Sequence, residues 1–231
     1  MFLGHYGIAF AARRAAPRAS LGTLAFASQF LDEIWPVLLL LGLEHVRIVP
    51  GIMAASSLDF VSYPISHSLV TAVGWALLIG IVYFAIRRYG RGAWVVSGLV
   101  VSHWLLDVPV HRADLPLWPG SHILVGLGLW SSLWLTALLE LGLLGVGLAI
   151  YLRYTRAADR IGSWALWAMV AVLVAIWLSG MFGPPPPGER AIAFSALTLW
   201  LFVPWSWWID RHRVTRSAPA PVAAAPHSPG A

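Results

Sequence analysis

Apolar runs of roughly twenty residues recur along the chain, five of the six closed within two residues by arginine or glycine, and they predict helices that cross a membrane. The runs fall at 21–43, 64–86, 93–110, 124–152, 163–182 and 191–209. Residues 1–12 are also apolar, but at 1.5 Å per residue they reach only about 18 Å into a hydrocarbon core of ~30 Å. They predict a half-helix ending at Arg13 and Arg14. The expected fold is therefore all-α and polytopic, with about six transmembrane helices plus an N-terminal half-helix. Residues 1–213 form the helical membrane domain, and 214–231, rich in Ala and Pro, a disordered cytoplasmic tail that carries His227. The GPPPPGER stretch at 183–190 reads as a rigid turn between the last two spans.

Composition agrees with lipid as the solvent: 59% of residues are hydrophobic and 11% charged, outside the range of soluble domains. All 15 basic residues are Arg, which excludes a Schiff-base lysine, and the absence of Cys excludes thiolate ligands and disulfides. The positive charge sits in short clusters between apolar runs, so topology explains it and nucleic acid does not. Twelve arginines (13, 14, 18, 87, 88, 91, 153, 156, 160, 211, 213 and 216) fall on alternate loops and the tail, whereas only Arg47, Arg112 and Arg190 fall on the other side. That split places both termini on the cytoplasmic side. Because the arginines of the first segment follow its apolar run, that segment is a poor signal peptide.

Ionisable side chains at membrane depth cost about 2.5–3.5 kcal/mol each on insertion scales, so each calls for a reason. The stretch SHWLLDVPVHR places His103, Asp107 and His111 four residues apart, on one face of a helix as far as Pro109 allows it to continue. Counted by helical rise from the arginine clusters, Asp32 and His103 lie about 18 Å deep, Glu140 about 20 Å and Asp107 about 24 Å. His67, next to Pro64 on the opposite side, and His5, at the free end of the half-helix, reach a similar level. Asp32 and Glu33 point about 100° apart on a helix, so one of them faces a shared site; Asp32 is preferred, with Glu33 as a neighbouring group or general base.

Each residue has a plainer reading as well. His5 could be a polar residue near a chain end, His67 an interfacial hydrogen-bonding group, and His103 with Asp107 a structural pair. Glu140 serves packing or catalysis equally well. Taken together, His5, Asp32, His67, His103 and Asp107 suit a divalent metal ion, zinc first, with manganese or iron as alternatives. Glu33, His111 and Arg112 are then the candidate catalytic groups, Arg112 to stabilise an anionic substrate group at the mouth. The partners expected are the bilayer and a lipid or other amphiphile as substrate.

At these residues the chain resembles the bacterial membrane-bound metal-dependent hydrolases, the inner-membrane family that includes a member under LexA control. The resemblance rests on His5 with Gly7, Leu31-Asp32 with Trp35-Pro36, Ser66-His67-Ser68, and His103 to Asp107, and covers residues 1–115. Here a Leu-Asp-Glu-Ile-Trp-Pro sequence stands where the family has paired aspartates, and Tyr63-Pro64-Ile65 where it commonly has Arg-Gly. It implies an inner-membrane hydrolase with a metal held by these side chains. The alternative is a transporter or permease using the same residues for protons or cations, and a third reading is a non-catalytic membrane scaffold.

Overall fold

In the computed structural model, residues 1–216 are described; 217–231, most of the expected tail with His227, lie outside the described residues. The half-helix α1 (Leu3–Ala15) leads into α2 (Leu21–Leu40), a hairpin of β1 (His45–Ile48) and β2 (Leu58–Ser62), and a single turn, α3 (Pro64–His67). Next come α4 (Leu69–Arg87), α5 (Gly90–Val110), and a short ladder of β3 (Leu115–Pro116) with β4 (Leu124–Val125). The chain continues through α6 (Leu133–Tyr154), β5 (Thr155–Ala157), α7 (Arg160–Phe182), α8 (Glu189–Ala196), α9 (Phe202–Arg211) and β6 (Arg213–Thr215). Six segments are long and apolar enough to span a membrane: α2, α4, α5, α6, α7 and the continuous α8–α9 stretch. The protein is all-α and polytopic.

Four spans start at a side chain that caps them. Ser20, Ser68, Ser132 and Asp159 each accept a backbone N–H from the first turn of α2, α4, α6 and α7. α2 is the most enclosed span, and α1 is wedged inside the bundle against α6, α2 and α5. Leu77, Ile81, Trp134, Leu138 and Phe182 are exposed around the outside, where hydrocarbon takes the place of water.

The structure departs from the sequence pattern in three spans and in the tail. The run at 64–86 breaks at Ser68, whose extended backbone separates α3 from α4. Residues 124–132 are not helical but form β4 and a 3₁₀ turn (Leu129–Ser131) entered through Gly128 at φ 73°, so α6 starts at Leu133. The last span carries a 3₁₀ stretch (Leu197–Leu201) just before Pro204, whose ring is incompatible with the carbonyl four residues earlier. Part of the expected tail is ordered: Arg213–Thr215 pairs with Thr155–Ala157.

The two ends of the bundle differ in charge chemistry. At one end Arg13 pairs with Asp210 (3.3 Å), Arg18 lies over Tyr89, and Arg213 donates to Gly162 O (2.7 Å). At the other, Arg47 and Arg112 both bind Asp59. Met1 does not lie at the arginine-rich end. The half-helix starts inside the bundle and runs outward to Arg13 and Arg14.

Candidate metal centre

Asp32 from α2, His67 from the end of α3, and His103 and Asp107, one turn apart on α5, converge in the half of the bundle remote from the arginine loops. Asp32 Oδ1 is 3.4 Å from His67 Nε2 and 3.6 Å from His103 Nε2. Asp107 Oδ2 is 3.3 Å from His103 Nε2 and 3.9 Å from His67 Nε2. Four donors held tetrahedrally at 2.0–2.1 Å from an ion lie about 3.4 Å apart, close to these spacings.

The second nitrogen of each imidazole fixes its proton. His103 Nδ1 lies 2.8 Å from Ser28 O, a carbonyl that can only accept, so Nδ1 carries a hydrogen, and in the neutral imidazole Nε2 is left as a lone pair. Ser66 Oγ donates to Glu44 Oε2 (2.6 Å), and Glu44 also accepts the N–H groups of Ile65 and Ser66 (2.8 Å each). With its hydrogen committed, Ser66 Oγ must accept from His67 Nδ1 (2.7 Å), which leaves His67 Nε2 as a second lone pair. Two lone pairs and two carboxylate oxygens therefore point at one another, and His103 Nε2 has no hydrogen-bond partner although it is fully buried. Asp32, His67 and His103 in this form could hold a metal ion, which would supply positive charge among them, with Asp107 Oδ2 beside the two imidazoles.

His5 stacks on His103 with ring centroids 3.7 Å apart, and its Nε2 lies 3.2 Å from Asp107 Oδ1. The Met1 nitrogen is 2.5 Å from the same oxygen. Oδ1 is thereby occupied, and Oδ2 is the oxygen turned toward His67 and His103. His5, His103 and Asp107 also make a second possible ligand trio, with His5 Nδ1 buried and unpartnered.

Glu140, whose role the sequence left open, holds α1 in place. Its carboxylate accepts the N–H of Phe2 (3.0 Å to each oxygen) and of Gly4 (3.1 Å), and so caps the start of the half-helix that carries His5. Glu140→Ala strands two N–H groups at a protein interior and is expected to lower stability by about 3 kcal/mol, read by thermal unfolding in detergent.

Glu44 was not found from sequence. It sits at the outer edge of α2, and only the β1–β2 hairpin folds it back onto Ser66, so no helical spacing signals the pair. Glu44→Ala frees Ser66 to donate to His67 and removes the fixed tautomer. Metal affinity is expected to fall about 10–100-fold, measured by competition with a chromogenic chelator.

A cavity of about 280 Å³ lies over the cluster. Asp32, His67, Asp107, His111 and Glu140 form its polar floor and side, while His103 is behind them. His111 caps the end of α5, packs tilted against Trp130 (ring centroids 4.4 Å apart), and has Nδ1 3.0 Å from Asp114 Oδ1, which also accepts from Tyr63 OH (3.0 Å). Burial holds its imidazole below the ordinary value of 6.5, which keeps it neutral at pH 7, and burial with the Asp114 charge raises Tyr63 well above its usual range.

Two other candidates lie apart from the cluster. Glu33 is buried but turned away: it is not among the cavity-lining residues, one carboxylate oxygen has no partner, and its backbone carbonyl accepts from Trp200 Nε1 (3.1 Å). The side chains at 32 and 33 diverge as helical neighbours must. Arg112 is 41% exposed and clamped between Asp59 and Asp114, so its charge is taken up by two carboxylates. No protein-family model, characterised protein or solved structure matches the chain.

Proposed function

We propose that this protein is an integral-membrane, metal-dependent hydrolase of the bacterial inner membrane, with the arginine-rich end cytoplasmic and the site facing outward. The observation that carries this reading is the convergence of four acceptor atoms from Asp32, His67, His103 and Asp107 under a cavity, with both imidazole lone pairs aimed inward. The resemblance of these same positions to the membrane-bound metal-dependent hydrolases supports it. Zinc suits the tetrahedral spacing, and manganese or iron suits the same donors with added positions.

A divalent ion bound there supplies a Lewis acid that polarises water and the oxygen of a scissile ester or phosphoester. The chain's own groups do the rest. Asp32, His67 and Asp107 line the cavity, so the reacting bond meets them from one side. His111 is oriented by Asp114 through Nδ1 and stays neutral, so Nε2 is the acceptor for a proton released from water. Glu33 and Arg112 have no part in this scheme. His5 orients Asp107 from the far oxygen.

A transporter would need a polar path from the cluster to the arginine end. Phe10, Leu21, Ala25 and Leu148 form one buried apolar cluster along that direction, and the polar atoms there, Gln29 Oε1, Tyr6 OH and Tyr151 OH, are not bonded to one another and make no connected path, which favours a one-sided site. The test is metal content together with turnover of ester and phosphoester amphiphiles by the purified protein. About one equivalent of metal, with activity abolished by a chelator and restored by zinc, manganese or iron, is expected. Protein that binds none of these ions, or turnover that persists in the chelator, ends the reading.

A further inference from the structure

We infer that the cavity is a slot for one hydrocarbon chain of a bilayer lipid, open sideways to the membrane between α7 and α8. The inference rests on the hydrolase reading only for the bond that reacts. Its own support comes from the apolar half of the cavity, where Ile176, Gly180 and Met181 of α7 face Ile192 and Ala196 of α8. Ile176 and Gly180 line the cavity and are also solvent-accessible, within a span apolar enough to cross the membrane. Accessible residues in the lining mark where the wall is open, and Ile176, about 9 Å by helical rise inside the end of α7, sets that opening against the hydrocarbon.

The contacts of α7 explain the gap. It packs on α9 and touches α1, and no extensive packing joins it to α6 or α8 among the described residues. Four consecutive prolines, 184–187, each with φ set by its ring, connect α7 to α8, and Pro186 itself lines the cavity. The side toward water is covered. Phe60 and Trp130 stack at 6.3 Å, and the loop after β1 is pinned by the Ala55 N–H to Trp130 O bond (2.8 Å).

Shape and polarity then select the occupant. The volume is below that of pockets for drug-sized ligands, which suits one chain and not two. The carboxylates and imidazoles of the lining come from α2, α3, the end of α5 and α6, and none from α7 or α8. An amphiphile entering from the bilayer places its chain against α7 and α8 and the ester or phosphoester junction beside Asp32, His67 and Asp107, while a second chain stays in the membrane.

The experiment uses the full chain in phosphatidylcholine vesicles doped with phosphatidylglycerol bearing a diazirine at the end of one acyl chain. After irradiation, labelled residues are mapped by peptide mass spectrometry. Label is expected on Met181 and Ile192, and Gly180→Trp should reduce it at least fivefold while leaving the label on Leu77 and Ile81 of the outer surface of α4 unchanged. A Cβ at Gly180 meets nothing within 4 Å, so the new side chain leaves the helix without a backbone clash. Ala196→Trp closes the same slot from the α8 side and should act alike. Label confined to the outer surface, or cavity label indifferent to both variants, overturns the slot. The metal reading is scored separately on the same samples. A labelled slot in protein that binds no metal leaves the inference standing and removes the hydrolase; bound metal with an unlabelled slot does the reverse. His103→Ala should lose metal and keep the label.

Discussion

His103→Ala is expected to abolish metal binding and, with it, hydrolytic turnover. His103 is the residue least able to be replaced, because its Nε2 lies within 3.6 Å of both carboxylates while its Nδ1 is anchored to the α2 backbone at Ser28. Removing it takes a donor from the centre of the set and leaves Asp32 and Asp107 facing each other with less to neutralise them. The loss of affinity should exceed the roughly 100-fold, ~2.7 kcal/mol, seen when an outer partner of a ligand is removed. Calorimetry and thermal unfolding read the effect together. At metal 100 times Kd the wild type gains about 2.7 kcal/mol of stability from the ion, and the variant gains none. An unchanged response to metal in His103→Ala would refute the assignment.

The second large effect is expected far from any charged group. α1 and α6 are the most extensively packed pair, and they cross where Gly7 meets Gly147. A Cβ at Gly147 would collide with the backbone carbonyl of Gly7, and one at Gly7 with the backbone of Leu143. Side-chain rotation cannot relieve a clash with main chain, so Gly147→Leu must push the half-helix away from α6. The cost should be more than about 3 kcal/mol. Because α1 carries His5 and is capped by Glu140 on the same α6, the displacement also loosens Asp107. Lower thermal stability together with weakened metal binding is the expected result, although the substitution touches none of the four converging residues. Gly142→Leu, on the same helix with open space around its Cβ, is the control and should behave as wild type.

Much of this architecture is written in local pattern. A span is a run of twenty apolar residues, and the arginine split needs only counting, so both survive without knowledge of packing. The common depth of Asp32, His103 and Asp107 follows from helical rise, and the choice of Asp32 over Glu33 from the 100° turn between neighbours. Legibility ends where the chain leaves helical geometry. LVGLGLW at 124–130 is as apolar as a span, and only the positive φ of Gly126 and Gly128 reveals that it turns. Glu44 reaches Ser66 across a hairpin, and Arg112 meets Asp59 and Asp114 through loops, so neither pairing has a period to betray it.

The cap on the half-helix also sets an order of synthesis. α1 is too short to cross the bilayer, and the carboxylate that satisfies its first N–H groups lies 136 residues downstream of Gly4. A nascent chain therefore cannot seat His5 until α6 has left the ribosome, and the pocket for the ion is completed only when more than half of the polypeptide has been made.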